Sequence, residues 1–433
     1  MQDYCAERPV IVTRGRGHYL YDADGSRYLD GVSSLWCNLF GHRKVAIDQA
    51  IRRQLARIAH STLLGVTHAP AIELARRLTE IAPSGLAKVF YSDDGSTAVE
   101  VAMKMAFQYW QQAERRRYRA RTSFLTFTNA YHGDTIGSVS LGGIPLFHGL
   151  YRPLLFTTHR APAPYCYRCP LNLSPESCQM DCVGEVESIL RRRQREIAAL
   201  VMEPLVMGAA GMLVQPAGFV KRMRELCDRY GIFLILDEVA TGFGRTGRMF
   251  ACEHDDVRPD FLCLAKGLTA GYLPMAVTLT TDRVYGGFLG RFGELKQFFH
   301  GHTYTGNQLG ASAALATLKV FEEERVLRKL TAKIASMRNA LGSLNDIAWV
   351  GDIRQAGLMV GIELVRRKTS RKAFPWKARV GHRVCLEARR HGVLIRPLGD
   401  TIVLLPPLSI TRAQIHDLVA AVSASVRAVA KGG

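Results

Sequence analysis

Gly231-Ile232-Phe233-Leu234-Ile235-Leu236-Asp237-Glu238 is an apolar, β-rich run that ends on two acids. Its length and composition are those of a strand buried on both faces. A second run, Phe261-Leu262-Cys263-Leu264-Ala265, ends on Lys266 and Gly267. In a parallel sheet the C-terminal strand ends share one edge, and ligands bind there. An acid and an amine therefore converge on one crevice.

A lysine held among apolar side chains is drawn toward its neutral amine, which makes Lys266 a candidate Schiff-base nucleophile. An aspartate that stays ionised at the end of a buried strand needs a cationic partner. Pyridoxal phosphate answers both, with an aldehyde for Lys266 and a protonated ring nitrogen for Asp237. Each residue also has an ordinary reading, Asp237 as a helix N-cap or turn acid and Lys266 as a snorkelling surface side chain. A phosphate site separates the two readings.

Lys88–Tyr91 reads as a strand, Ser92–Thr97 as a turn and Ala98–Gln112 as a strong helix. Gly95 lets the backbone approach an anion closely, and Ser96 and Thr97 bring hydroxyls beside the free N–H groups of the first helical turn. Plain N-capping by Ser96 or Thr97 fits the same residues. Ser123–Thr128 is another strand, delivering Tyr131 to the same edge, where an aromatic either stacks on a pyridine ring or packs. Ile197–Met202 ends on Glu203. Strands alternating with helices indicate a mainly parallel α/β sheet.

A chain of 433 residues divides into two or three domains, and 48% apolar with 22% charged residues is ordinary for a soluble globular protein. No apolar run is long enough to span a bilayer, and Met1-Gln2-Asp3-Tyr4 is unlike a secretory signal, so the expectation is a cytoplasmic protein with no membrane partner. The net charge of +19 raises nucleic-acid binding. Its sources, Arg115-Arg116-Arg117, Arg191-Arg192-Arg193 and Arg366-Arg367-Lys368, lack interleaved aromatics and read as solvated faces, so no nucleic-acid partner is expected. Gly242-Phe243-Gly244-Arg245-Thr246-Gly247 matches a dinucleotide fingerprint in letters, but no long helix opens after it. His300 and His302 have no supporting acid cluster and read as structural. Of the ten cysteines, Cys166, Cys169, Cys178 and Cys182 share one Pro-rich insertion and form a candidate metal or iron–sulfur set; free thiols are the alternative.

The N-terminal segment reads as β-rich, with a hairpin turn at Asp22–Gly25, followed by helices over 45–58 and 70–81. After Met275–Thr280 a long helical stretch begins near Gln308 and runs past Glu323. The rest reads as an α+β lobe: strands near 352–354 and 358–363, a helix over 381–391, a strand at Val393–Pro397, a hairpin at Gly399-Asp400 and a capping box at Thr411–Gln414. Arg396 stands among apolar neighbours, where an unpaired guanidinium is costly, and so calls for a carboxylate.

Taken together, Asp94-Gly95-Ser96, Tyr131-His132-Gly133-Asp134-Thr135, Leu236–Gly247, Ala265-Lys266-Gly267 and Gly301–Asn307 resemble the class III aminotransferases of fold type I, in order along almost the whole chain. The resemblance implies a large domain, 45–310, with a mainly parallel sheet flanked by helices, and a smaller α+β domain from 1–44 and 311–433. It implies pyridoxal phosphate bound by Lys266 as the Schiff-base lysine and proton carrier, Asp237 at the ring nitrogen, Tyr131 on the ring, and Gly95 and Ser96 at the phosphate. Thr303 would come from the partner subunit of a homodimer. Arg396 would bind a substrate carboxylate, and Trp36, Arg245 and Asp134 would line or support the substrate pocket.

Within that class the likeness is to the biotin-pathway branch that aminates 8-amino-7-oxononanoate to 7,8-diaminononanoate, with S-adenosylmethionine or lysine as donor. Leu35 before Trp36, where many members have a second tryptophan, and Val403, near the position of a tyrosine, tilt the donor toward lysine. The alternatives are a class III enzyme acting on an ω-amino acid such as 4-aminobutyrate or a diamine, and a non-catalytic cofactor-binding regulator. Relatives begin earlier, with a Trp-His-Pro-Phe-Thr-Gln-like segment, so Met1 is expected to be internal or the chain truncated. His302 replaces a common proline, with little effect expected.

Overall fold

The computed structural model describes residue 7 and residues 9–112, 118–174 and 176–431. Met1–Tyr4 and the Arg115–Arg117 run lie outside the described residues. A seven-stranded sheet runs in the order Leu86–Ser92, Ala276–Thr281, Phe261–Leu264, Phe233–Asp237, Ile197–Met202, Ser123–Phe127, His159–Ala161. Every neighbouring pair is parallel except those made by Ala276–Thr281, which is antiparallel to both neighbours. Six strands thus point one way and one is reversed. The C-terminal ends of the six lie along one edge, and the N-terminal end of the seventh joins them.

Ile197–Met202, Phe233–Asp237 and Phe261–Leu264 are buried at every position, which is why they read as continuous apolar runs. Alternate side chains still go to opposite faces. Phe233 and Ile235 join the cluster containing Ala98 and Ala102 of the helix Gly95–Gln112, while Leu234 and Leu236 join the one containing Leu190 and Leu226. Each such buried side chain contributes about 1.5–3 kcal/mol, so both helical layers are bound tightly to the sheet.

The flanking helices lie close to the sequence expectation, at Val45–Leu55 and Ala69–Ile81. The helix expected to run past Glu323 stops there: Arg325 is left-handed, with φ 49°, and a second helix spans Val326–Leu341. The hairpin at Asp22–Gly25 forms, with Tyr21 opposite Arg27. Thr411 and Gln414 make the reciprocal bonds of a capping box, Thr411 N to Gln414 Oε1 at 3.1 Å and Gln414 N to Thr411 Oγ1 at 3.2 Å.

Val393–Pro397, read as one strand, is two. Val393–Leu394 pairs in parallel with Leu29 and Asp30, completing a sheet with Val12–Arg16, Tyr19–Asp22 and Arg27–Asp30. Arg396–Leu398 belongs instead to an antiparallel sheet with Thr401–Leu404, Met359–Leu364 and Val350–Ala356. The chain changes sheets at Ile395. Among the described residues no helix is long and apolar enough to cross a membrane.

Cys166, Cys169, Cys178 and Cys182 are all free thiols, and among the described residues no three metal-ligating side chains are placed to hold an ion. Cys182 is buried with the core residues Val183 and Val186. The insertion is fastened by other bonds, from the Tyr165 hydroxyl to Glu363 and from Arg168 Nε to Glu363 Oε1 at 2.6 Å.

Candidate active site

The shared sheet edge opens into a cavity of about 360 Å³, bounded by Gly95, Tyr131, Glu203, Asp237 and Lys266. Each of these stands at or just beyond the C-terminal end of a different parallel strand. Lys266 has φ 44°, a left-handed turn that swings its side chain back over the edge. Its Nζ lies 5.2 Å from the centroid of the Trp36 ring. Burial lowers the pKa of the amine, against the opposing pull of Asp237 and Glu203. Desolvation is the larger effect, and it shifts the amine toward its neutral, nucleophilic form.

Asp237 is 5% exposed. Its Oδ2 accepts from His132 Nδ1 at 2.7 Å and its Oδ1 from Val239 N at 3.1 Å. His132 Nε2 is buried without a partner among the described residues. Glu203 Oε1 accepts from Gly208 N at 2.8 Å and Oε2 from Tyr131 N at 3.3 Å. Burial pushes its carboxyl up to about 7. The Tyr131 hydroxyl donates to Asp134 Oδ2 at 2.8 Å.

At the other end of the cavity the helix Gly95–Gln112 begins. Asp94 Oδ1 caps Thr97 N at 2.9 Å, which leaves the N–H groups of Gly95 and Ser96 without partners among the described residues. Two glycines keep this corner open. A Cβ on Gly95 would meet Val239 Cγ1 at 2.6 Å, and one on Gly133, with φ 118°, would strike Ser96 Oγ at 1.9 Å. Asp93, whose charge would repel an anion, is engaged by His302 Nδ1 at 2.6 Å. An unpartnered N–H pair at a helix start, an amine held toward neutrality and a buried carboxylate together fit a phosphorylated pyridine aldehyde.

A second cavity of about 620 Å³ shares Trp36, Tyr131 and Lys266 with the first and extends past Leu35 and Asp134 to Arg396. Arg396 is exposed, so the expectation that it is desolvated among apolar neighbours is corrected. Its guanidinium is solvated at the cavity wall. Arg245, expected to line or support the substrate pocket, is 1% exposed, and its guanidinium donates to Pro406 O at 2.8 Å, Asn38 O at 3.1 Å and Ser33 Oγ at 3.3 Å. It borders neither cavity and supports the segment behind Trp36. Val403 is buried in the sheet opposite Arg396 and forms no wall. Thr303 is exposed and does not reach this chain's own cavity.

Sequence reasoning therefore brought Lys266, Asp237, Tyr131, Gly95, Ser96, Trp36, Asp134 and Arg396 to the two cavities. It assigned no role to His132 and Glu203. Glu203 carries the same signal as Asp237, an acid ending a wholly apolar strand. His132 carries none, because its bond to Asp237 spans 105 residues.

The class-III aminotransferase family model matches residues 3–426. The adenosylmethionine-8-amino-7-oxononanoate aminotransferase of Nitratidesulfovibrio vulgaris is 58% identical over 433 residues, covering 100% of this chain and 80% of the relative. The crystal structure of the enzyme of that name from Methanocaldococcus jannaschii superposes with a TM-score of 0.93 at 45% identity, covering 99% of this chain and 95% of that one. An amine transaminase from an uncultivated Pseudomonas species, solved with pyridoxal phosphate bound, gives a TM-score of 0.93 at 38% identity, covering 98% and 96%.

Proposed function

The chain belongs to the class-III aminotransferases, a pyridoxal-phosphate family of fold type I, and from that membership we propose that it aminates 8-amino-7-oxononanoate to 7,8-diaminononanoate in biotin biosynthesis. The observation that carries the reading is the second cavity, which leads from Lys266 past apolar Leu35 and Trp36 to the cation of Arg396. A long aliphatic acceptor with a ketone at one end and a carboxylate at the other suits that layout. The names of the relatives support the same acceptor.

Bound pyridoxal phosphate supplies an electron sink for the pair released when a proton leaves the substrate carbon. Asp237, oriented by His132, would face the ring nitrogen and keep it protonated. Gly95 and Ser96 would hold the phosphate through their free N–H groups, and Tyr131 would lie against the ring. Lys266 would take the aldehyde and move the proton at the substrate carbon, a task that needs the amine neutral at the working pH. Arg396 would anchor the acceptor carboxylate, with Trp36 and Asp134 beside its chain.

Of the two donors we propose lysine, on the single difference at half-exposed Leu35, which stands beside Trp36 where many members have a second tryptophan, although Tyr131, Phe147 and Tyr151 line the same cavity. The relatives named for adenosylmethionine favour the other donor. We further propose a homodimer in which the partner covers apolar residues such as Leu64, Leu150, Phe292 and Phe299, 71–88% exposed in this chain, and brings its own Thr303 to the phosphate. The partition into 45–310 and 1–44 with 311–433 is supported by the sheets: all seven strands of the large one fall within 86–281.

The test is a single-turnover absorbance assay with lysine, S-adenosylmethionine and 4-aminobutyrate as donors, followed by addition of 8-amino-7-oxononanoate. Lysine is expected to discharge the cofactor band and the acceptor to restore it with formation of 7,8-diaminononanoate. The likeness to the amine transaminase favours an ω-amine enzyme as a second reading. Turnover with 4-aminobutyrate and none with the biotin-pathway acceptor would establish that reading instead.

A further inference from the structure

Trp36 is brought to both cavities by a strained turn: Ser33, Ser34 and Trp36 have φ of 52°, 61° and 65°, and none is a glycine. Such conformations persist only where the surroundings impose them. The imposing group is Asp30, 1% exposed. Its carboxylate accepts from Ser34 N at 2.8 and 3.0 Å and from Val32 N at 3.3 Å. His42 Nε2 donates to it at 3.0 Å. His42 is itself tied down, since its N–H donates to Gly17 O and its carbonyl accepts from Gly17 N.

The same aspartate lies in the strand that meets the C-terminal lobe. Asp30 pairs with Leu394, two residues before Arg396. Gly31 N donates to Leu394 O at 2.9 Å and Gly31 O accepts from Leu405 N at 2.8 Å. A Cβ on Gly31 would meet Ile395 Cγ2 at 2.7 Å, so the two segments pass in close contact. From this crossing one arm runs to Trp36 and the other to Arg396. The two walls of the substrate cavity hang from one point.

We infer that Asp30, held by His42, is a positioning residue that fixes the separation of Trp36 from Arg396 and so sets the length of acceptor the site takes. Asp30 borders neither cavity and acts through the turn. The inference rests on the proposed reading of the second cavity as the substrate site.

The test is steady-state kinetics of the holoenzyme on a series of ω-carboxylated aliphatic ketones of increasing chain length, with cofactor absorbance and thermal melting measured alongside. Asp30→Asn loses the second acceptor oxygen and is expected to raise KM for the preferred length about tenfold, with kcat within about threefold, and to flatten the length preference. Ser34→Gly keeps the N–H that Asp30 holds and relieves the strain, so it is expected to keep the preference. His42→Gln keeps a donor for Asp30 and also keeps the preference, whereas His42→Leu flattens it. An unchanged preference in both Asp30→Asn and His42→Leu, whatever their melting temperatures, overturns the inference; if the first does not fold, the second decides. A wild-type enzyme with no length preference at all sinks the substrate reading and this inference together, while a preference that survives both Asp30→Asn and His42→Leu sinks this inference alone.

Discussion

Asp237 and His132, both almost wholly buried, are joined by a 2.7 Å hydrogen bond from Nδ1 of the imidazole to Oδ2 of the carboxylate. The other carboxylate oxygen is held by Val239 N, so the group cannot swing away from the cavity. Asp237→Asn removes the charge proposed to face the ring nitrogen and is expected to lower kcat by about a hundredfold or more. His132→Leu keeps the charge and loosens its aim, with an expected loss of about tenfold. Single-turnover rates check the order, and a larger loss in His132→Leu would contradict these roles.

Arg396 stands exposed at the far wall of the second cavity. A charge-assisted bond from it to a carboxylate contributes about 1.5–3 kcal/mol, so Arg396→Met is expected to raise KM for the carboxylated acceptor about 10- to 100-fold. Rates with an amine lacking a carboxylate are expected to stay within about twofold. Equal losses on both substrates would remove Arg396 from carboxylate binding.

Thr303 is exposed and does not line this chain's own cavity, which makes its proposed role in the partner's site testable by mixing subunits. Lys266→Ala and Thr303→Val homodimers are each expected to be impaired, the first in chemistry and the second in cofactor retention. Hybrids of the two carry one site with both lesions and one with neither. Recovery of tight cofactor binding and activity at half the sites is the expected result, measured on purified hybrids. Hybrids no better than the Thr303→Val homodimer would place the threonine in its own subunit's site or outside both.

Burial raises Glu203 from its ordinary 4.5 to about 7, so the folded chain prefers the protonated carboxyl. The resulting stability is fully present below about pH 4.5 and is lost as pH rises through about 7. A shift of that size corresponds to about 3 kcal/mol. Glu203→Gln cannot ionise and is expected to reduce the fall in melting temperature of the cofactor-free protein between about pH 5 and about pH 8. An undiminished fall would assign the pH dependence to other groups, Glu238 first, since burial raises it in the same way.

The part of the site built on buried parallel strands was legible in the sequence. Phe233–Asp237 and Phe261–Leu264 are uninterrupted apolar runs, and whatever polar residue follows such a run must emerge at the binding edge. The reversal of Ala276–Thr281 left no mark, because a strand covered on both faces has the same composition in either direction. Arg396 was misjudged because apolar neighbours in sequence do not tell whether a guanidinium ends in solvent, as it does there, or among backbone carbonyls, as at Arg245. The left-handed turn at Ser33–Trp36 was hidden because no glycine marks it; the bonds that impose it come from Asp30, and those that back it from Arg245, over 200 residues away.

The most direct measurement is borohydride reduction of the yellow holoenzyme followed by peptide mapping on a mass spectrometer. The phosphopyridoxyl group is predicted on Lys266, with no label and no turnover in Lys266→Ala. A label on another lysine in active enzyme, or full activity in Lys266→Ala, would contradict the assignment on which every other role depends.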